Sequence, residues 1–289
     1  MPEPSKNPEL GRMIVAAGVR TNYHDLGSGE PLLMIHGSGP GVSAWANWRM
    51  NLAALAQRRR VIAPDCVGFG YSERPASAEY SRAGWLRHLV GLLDALALDR
   101  VDIVGNSFGG GLALALALKH PERVRRLVLM GSIGIDFVIT PGLEAVWGYA
   151  PSVANMQRLL DIFSFDRRLM SDDLAEKRYR ASILPGAQEA FASMFPVPRQ
   201  LSVDAFALTA AELGSIAHKT LIIHGREDQV IPPENAHRLF ALIPDAELHM
   251  FGRCGHWTQI EHAAAFNRIV DEFLARGVDV DAAAATPVK

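Results

Sequence analysis

Several short runs of this chain are apolar at nearly every position, and a stretch with helical periodicity separates each from the next. Pro31–His36, Val101–Val104, Arg126–Met130 and Thr220–His224 are of this kind. A strand without a polar face has to be covered on both sides. The pattern therefore restricts the chain to a mostly parallel central sheet with helices on both faces. Further strands are expected around Arg12–Val15, Arg20–Asp25, Arg60–Ala63 and Glu247–Phe251. Helices are expected over Trp45–Arg58, Ser81–Ala97, Phe108–His120, Asn235–Leu242 and Ala264–Arg276.

The alternation fails over one long stretch. From 136 to 215 strand signals stop, and Met, Phe, Tyr and Arg accumulate between breaks at Pro141, Pro151, Pro185, Pro196 and Pro198. Because strands resume at Thr220, this stretch reads as a helical cap inserted between two strands, over the sheet edge where open α/β sheets bind ligands. The expected layout is a sheet core in two parts, 1–135 and 216–276, with the cap 136–215 between them. Residues 1–10 are expected to fray and the Ala/Val/Asp-rich tail 277–289 to be disordered.

Composition narrows the setting. The 29 Lys and Arg nearly balance 31 Asp and Glu, which argues against nucleic acid as a partner. Two cysteines, Cys66 and Cys254, provide neither a disulfide framework nor paired metal-ligand spacing. No apolar stretch is long enough to span a membrane, and the start lacks the apolar core of a signal peptide, so a cytoplasmic location is expected.

The most informative segment is Gly105-Asn106-Ser107-Phe108-Gly109, between an apolar strand and a helical run. Glycines at such a junction permit a sharp turn that leaves the serine strained and exposed as a nucleophile. A simple helix N-cap is the competing explanation for a serine there. A nucleophilic serine needs a base and an orienting acid. Of ten histidines, His256 lies on a Gly-flexed loop after the last strand, and Asp228 lies in a tight loop after the strand before it. The order Ser107, Asp228, His256 is that of hydrolases with a strand–turn–helix nucleophile. Glu227 is the local rival for the acid, and Asp65 is expected to brace the loop Cys66–Ser72. Small residues from Gly37 to Gly41 allow backbone N–H groups to approach an oxyanion, with Ser38 and Phe108 as the donors. Neither a Lys-Ser/Thr pair nor dinucleotide glycine spacing follows, which argues against a phosphate-binding loop.

Taken together, HGSGPG, GNSFGG, GREDQVIP and GRCGHWTQ resemble the α/β-hydrolase superfamily over nearly the whole chain. The run from Ser43 to Arg49, Asn106 within the elbow and the cap residues Lys177 and Arg178 resemble more narrowly the meta-cleavage-product hydrolases. The cap is most similar to those acting on 2-hydroxymuconate semialdehyde and alkyl-substituted ring-fission products. The resemblance implies an α/β-hydrolase fold with an inserted helical cap. It also implies hydrolysis of a carbon–carbon bond in a small-molecule 2-hydroxy-6-oxohexa-2,4-dienoate.

On that resemblance, Arg178, Asn47 and Asn106 would hold the carboxylate and enolic oxygen, and Trp257 would wall the dienoate. Each also has an ordinary structural explanation: an exposed cap charge, a helix-turn amide or a core aromatic. Ile139, Trp147, Met194 and Phe195 are expected to shape the subsite for the C6 substituent. The implied chemistry is acid–base and nucleophilic and calls for no metal or organic cofactor. A carboxylesterase or lactonase would share Ser107, Asp228 and His256, and a ligand receptor on this fold is the alternative of another class. A homodimer through exposed helices is plausible on base rates.

Overall fold

The computed structural model describes residues 7–276, so the expectations for the tail 277–289 and for residues 1–6 lie outside the described residues. Eight strands form one sheet: β1 (Arg12–Ala16), β2 (Val19–Leu26), β3 (Pro31–Ile35), β4 (Arg60–Pro64), β5 (Val101–Asn106), β6 (Val124–Met130), β7 (Thr220–Gly225) and β8 (Ala246–Phe251). Their spatial order is β1-β2-β4-β3-β5-β6-β7-β8. The β1/β2 and β2/β4 pairs are antiparallel, and every later pair is parallel.

In chain order the helices are α1 (Ala44–Trp48), α2 (Leu52–Leu55), α3 (Arg82–Ala95), α4 (Phe108–Lys119), α5 (Pro141–Trp147), α6 (Val153–Phe163), α7 (Asp172–Ser182), α8 (Ala187–Met194), α9 (Gln200–Phe206), α10 (Ala210–Gly214), α11 (Pro233–Leu242), α12 (Thr258–Glu261) and α13 (Ala263–Ala275). Successive strand residues point to opposite faces, and the core divides accordingly. Leu33, Ile35, Ile103, Leu129 and Ile222 pack on the side of α3, α4 and α11. Leu32, Met34, Val104, Val128 and Ile223 pack with Trp48, Leu52, Phe266 and Val270 from α1, α2 and α13.

The expected helix over 45–58 is instead two short ones. The chain turns at Asn51, whose buried side chain donates to the Gln259 carbonyl and to Asn267 Oδ1, contacts that a continuous helix would not present. The stretch between β6 and β7 holds α5 to α10, and the prolines fall where its helices start or stop. Pro141 opens α5, where a missing N–H costs nothing. Caps from Thr140, Ser152 and Ser171 open α5, α6 and α7. Among the described residues no helix is long and apolar enough to cross a membrane.

Packing is close where β5 turns into α4. A Cβ on Gly109 would fall 2.3 Å from the Ile35 carbonyl oxygen, and one on Gly105 would fall 2.4 Å from the Gly109 oxygen. These are backbone atoms of central strands and of the turn itself, so they cannot step aside. Gly109→Ala is expected to destabilise the protein by about 2–4 kcal/mol, read as a lowered urea midpoint. An unchanged midpoint would show that strand and helix separate more easily than their packing indicates.

Candidate active site

Ser107 follows the last residue of β5 with φ 53° and ψ −112°, a conformation that L residues rarely adopt. Its backbone is pinned: its N–H donates to the Met130 carbonyl at 2.8 Å, and its own carbonyl accepts from Gly110 at 3.0 Å. It occupies the N-cap position of α4, yet its hydroxyl makes no capping bond. The hydroxyl therefore faces a cavity between the sheet edge and the α5–α7 region, with about 560 Å³ of empty space. Phe108 is the first residue of α4, where a backbone N–H has no acceptor within the helix and the helix dipole favours negative charge.

Opposite lies the loop after β3. His36 donates from Nδ1 to the Gly37 carbonyl at 2.7 Å and accepts at Nε2 from the Cys66 N–H at 2.9 Å. Complete burial lowers its pKa to about 4, so it is a neutral brace. Asn47 Oδ1 accepts the Gly37 N–H, and Trp147 Nε1 donates to Ser38 Oγ at 2.9 Å. Ser38 and Phe108 thus come from two braced segments that meet beside Ser107.

His256 and Asp228 meet behind the cavity wall, with His256 Nδ1 2.7 Å from Asp228 Oδ2. The other oxygen, Oδ1, accepts the N–H groups of Val230 at 2.7 Å and Ile231 at 3.0 Å. Burial works to raise the Asp228 pKa, but the His256 and His224 imidazoles outweigh it and hold the carboxyl well below the usual range. An ionised Asp228 requires the proton on His256 Nδ1, which leaves Nε2 free to accept one. Glu227 instead accepts from the Cys254 N–H and pairs with Arg226. Asp65 ties the 66–72 loop to α1 and β2, accepting from Tyr71 N, Ala44 N and Asn22 Nδ2.

The inserted helices reach directly into this wall. The Phe163 carbonyl accepts from the N–H groups of His256 at 2.8 Å and Trp257 at 3.2 Å. The Phe163 ring stacks on Trp257 with centroids 4.6 Å apart. Glu261 fastens the same junction: one oxygen accepts from Phe165 and Asp166, the other from the Gly255 N–H. Gly255 has no room for a side chain there, since a Cβ would lie 2.7 Å from the Phe163 oxygen.

Ser38, Asn47, Asn106, Ser107, Arg178, His256 and Trp257 all line the one cavity. Arg178 arrives from α7. It is 8% exposed, burial pushes its pKa down to about 10, and Nη1 is a buried donor without an acceptor. No salt bridge among the described residues includes it. The Asn47 amide nitrogen is likewise a buried donor without a partner. Leaving such donors unpaired costs roughly 1–3 kcal/mol each, more for a charged group, so the cavity is prepared for an anionic, oxygen-rich ligand.

The expected C6 subsite is corrected. Ile139, Trp147, Met194 and Phe195 do not line the cavity; Leu143, Val146, Met156, Leu160, Phe163, Val230 and Ile260 do. Trp147 is turned toward Ser38 and stacks on Phe195 at 4.3 Å, which places both behind the wall. Sequence reasoning also missed Gln259, which lines the cavity and donates to the Asn47 carbonyl. Glu261 and Phe163 carried no signal beyond ordinary helical amphipathicity.

Residues 30–263 match the alpha/beta hydrolase fold family. The chain is 63% identical over 284 residues to a 2-hydroxymuconate semialdehyde hydrolase of Pseudomonas sp. strain CF600, covering 98% of this chain and 99% of that one. It is 59% identical to a 2-hydroxy-6-oxo-2,4-heptadienoate hydrolase of Pseudomonas putida strain F1, covering 93% and 98%. Among solved structures, a mutant of the meta-cleavage product hydrolase CumD from Pseudomonas fluorescens IP01, complexed with acetates, superposes with a TM-score of 0.92. That match has 57% identity and covers 93% of this chain and 98% of CumD. The chain belongs to the alpha/beta hydrolase fold family and, within it, to the meta-cleavage product hydrolases.

Proposed function

We propose that this protein hydrolyses the carbon–carbon bond of a 2-hydroxy-6-oxohexa-2,4-dienoate bearing hydrogen or a small alkyl group at C6, with Ser107, His256 and Asp228 as its catalytic groups. The products are 2-hydroxypenta-2,4-dienoate and a small carboxylic acid, as in aromatic hydrocarbon catabolism. The observation that carries this reading is the buried, unpaired Arg178 guanidinium in the cavity that Ser107 faces. Cleaving a simple neutral ester needs no such group. A carboxylate at the far end of the substrate satisfies it, because a guanidinium fork matches a carboxylate bidentately.

The chemistry follows from the positions of the donors. Asn47, whose amide nitrogen is a buried donor without a partner, and Asn106 line the same cavity as Arg178 and are assigned the 2-oxygen. Carbon–carbon cleavage needs an electron sink, so the dienol is first ketonised by protonation at C5. His256, oriented by Asp228, manages the protons and takes the one on Ser107. Attack at C6 then forms an oxyanion held by the N–H groups of Ser38 and Phe108. Collapse expels C5 as the dienoate product, and water releases the acid. The same groups serve whether Ser107 attacks C6 itself or deprotonates a water that does. Residues 136–215 act here as a cap whose apolar side chains surround the C6 substituent. A homodimer is the assembly proposed with it, on the frequency of twofold assemblies.

Separate measurements bear on this proposal. Ring-fission products with H, methyl, isopropyl or phenyl at C6 are to be offered alongside a p-nitrophenyl ester. The coloured H and methyl dienolates are expected to disappear fastest; their persistence beside rapid ester cleavage overturns the carbon–carbon reading. Ser107→Ala is expected to lower kcat at least about 10⁴-fold in stopped-flow turnover.

Arg178→Gln is expected to raise KM for the dienoate about 10- to 100-fold while leaving ester hydrolysis within about threefold. Burial lowers the Arg178 pKa, yet a guanidinium keeps its charge across the working range, so Arg178 is expected to add no limb to the dienoate KM profile between pH 6 and 9.

A further inference from the structure

We propose that His224 is a positioning residue for Asp228, an inference that rests on the reading of Asp228 and His256 as the acid–base pair. His224 is the penultimate residue of β7 and is 1% exposed at its side chain. Its Nε2 lies 3.1 Å from Asp228 Oδ2 and 3.1 Å from the Ile231 carbonyl oxygen. Both are acceptors, since Asp228 is held ionised, so Nε2 must carry a hydrogen.

That assignment completes the environment of the carboxylate. Val230 and Ile231 donate to Oδ1, His256 Nδ1 lies 2.7 Å from Oδ2, and His224 Nε2, hydrogen-bonded to the Ile231 carbonyl, also lies 3.1 Å from Oδ2. Asp228 sits on a loop, and a carboxylate on a loop can rotate about its last torsion. The two donors on Oδ1 and the pair of imidazoles facing Oδ2 oppose that rotation and keep Oδ2 aimed at His256. The His224 donor also draws charge from Oδ2, which tempers the basicity that Asp228 confers on His256. The titratable groups that face this cluster are Asp228, His256 and Cys254, whose thiol burial and nearby carboxylates keep protonated.

The test pairs two variants of similar shape. His224→Met fills the site without a donor, and His224→Gln returns an N–H donor close to the position of Nε2. His224→Met is expected to lower dienoate kcat about 10- to 100-fold with KM within about threefold. It should also move the acid limb of the kcat/KM profile upward by about half a pH unit. His224→Gln is expected to recover most of the rate and the original limb. A purely structural role would lower melting temperature in both variants and leave the limb in place, and that result overturns the proposal.

Asp228→Asn is the reference. If it collapses kcat while His224→Met changes neither rate nor limb, the His224 proposal alone fails. If Asp228→Asn itself leaves kcat intact, the acid–base reading falls and the proposal with it. Histidine-labelled wild-type protein gives a readout free of folding concerns. Nitrogen NMR of the neutral ring should show His224 as the tautomer with Nε2 protonated and Nδ1 bare, and the opposite tautomer overturns the proposal.

Discussion

At the end of β5 the backbone turns from strand into helix with Gly109 wedged against the carbonyl oxygens of Ile35 and His36. This contact goes with a positive-φ conformation at Ser107, which lines the cavity, and puts the first residue of α4 beside it. It also fixes the distance between β5 and β3, and with it the loop that carries Gly37 and Ser38. The unfavourable serine conformation is sustained by a large apolar core on both faces of the sheet. A local strain of a few kcal/mol is tolerable only where so much packing opposes its relaxation.

His256 is held differently. It lies on a loop with little regular structure, and its position comes from the end of α6 through the Phe163 carbonyl and from Glu261. Arg178 comes from α7, the other arm of the inserted helices. Ser107 and Asp228 therefore follow strands of the sheet, while the insertion supports His256 and contributes Arg178.

Much of this was legible in the sequence, for identifiable reasons. Apolar strands announce a buried parallel sheet, and the glycines around Ser107 mark a turn that few structures other than this one require. Asp228 and His256 were found because each follows a strand on a short loop at one sheet edge. What escaped has a physical cause too. Which face of α5 lines the cavity depends on how that helix is rolled, and Trp147 is drawn away by its bond to Ser38. The helix break at Asn51 arises from partners more than two hundred positions distant. Glu261 looked like any surface glutamate because its role lies in backbone N–H groups of another segment, which leave no mark in residue identity.

The bond from Trp147 to Ser38 and the stack of Trp147 on Phe195 have a consequence for how such enzymes can be recombined. Together with the Glu261 junction they make the inserted helices a scaffold for two backbone segments of the core. Transplanting the helices of a relative to alter substrate range would exchange these supports along with the cavity wall. A workable exchange has to carry a matched indole, hydroxyl and carboxylate across the seam. Specificity is therefore inherited more readily through single wall positions such as Leu143 or Met156 than through whole helices.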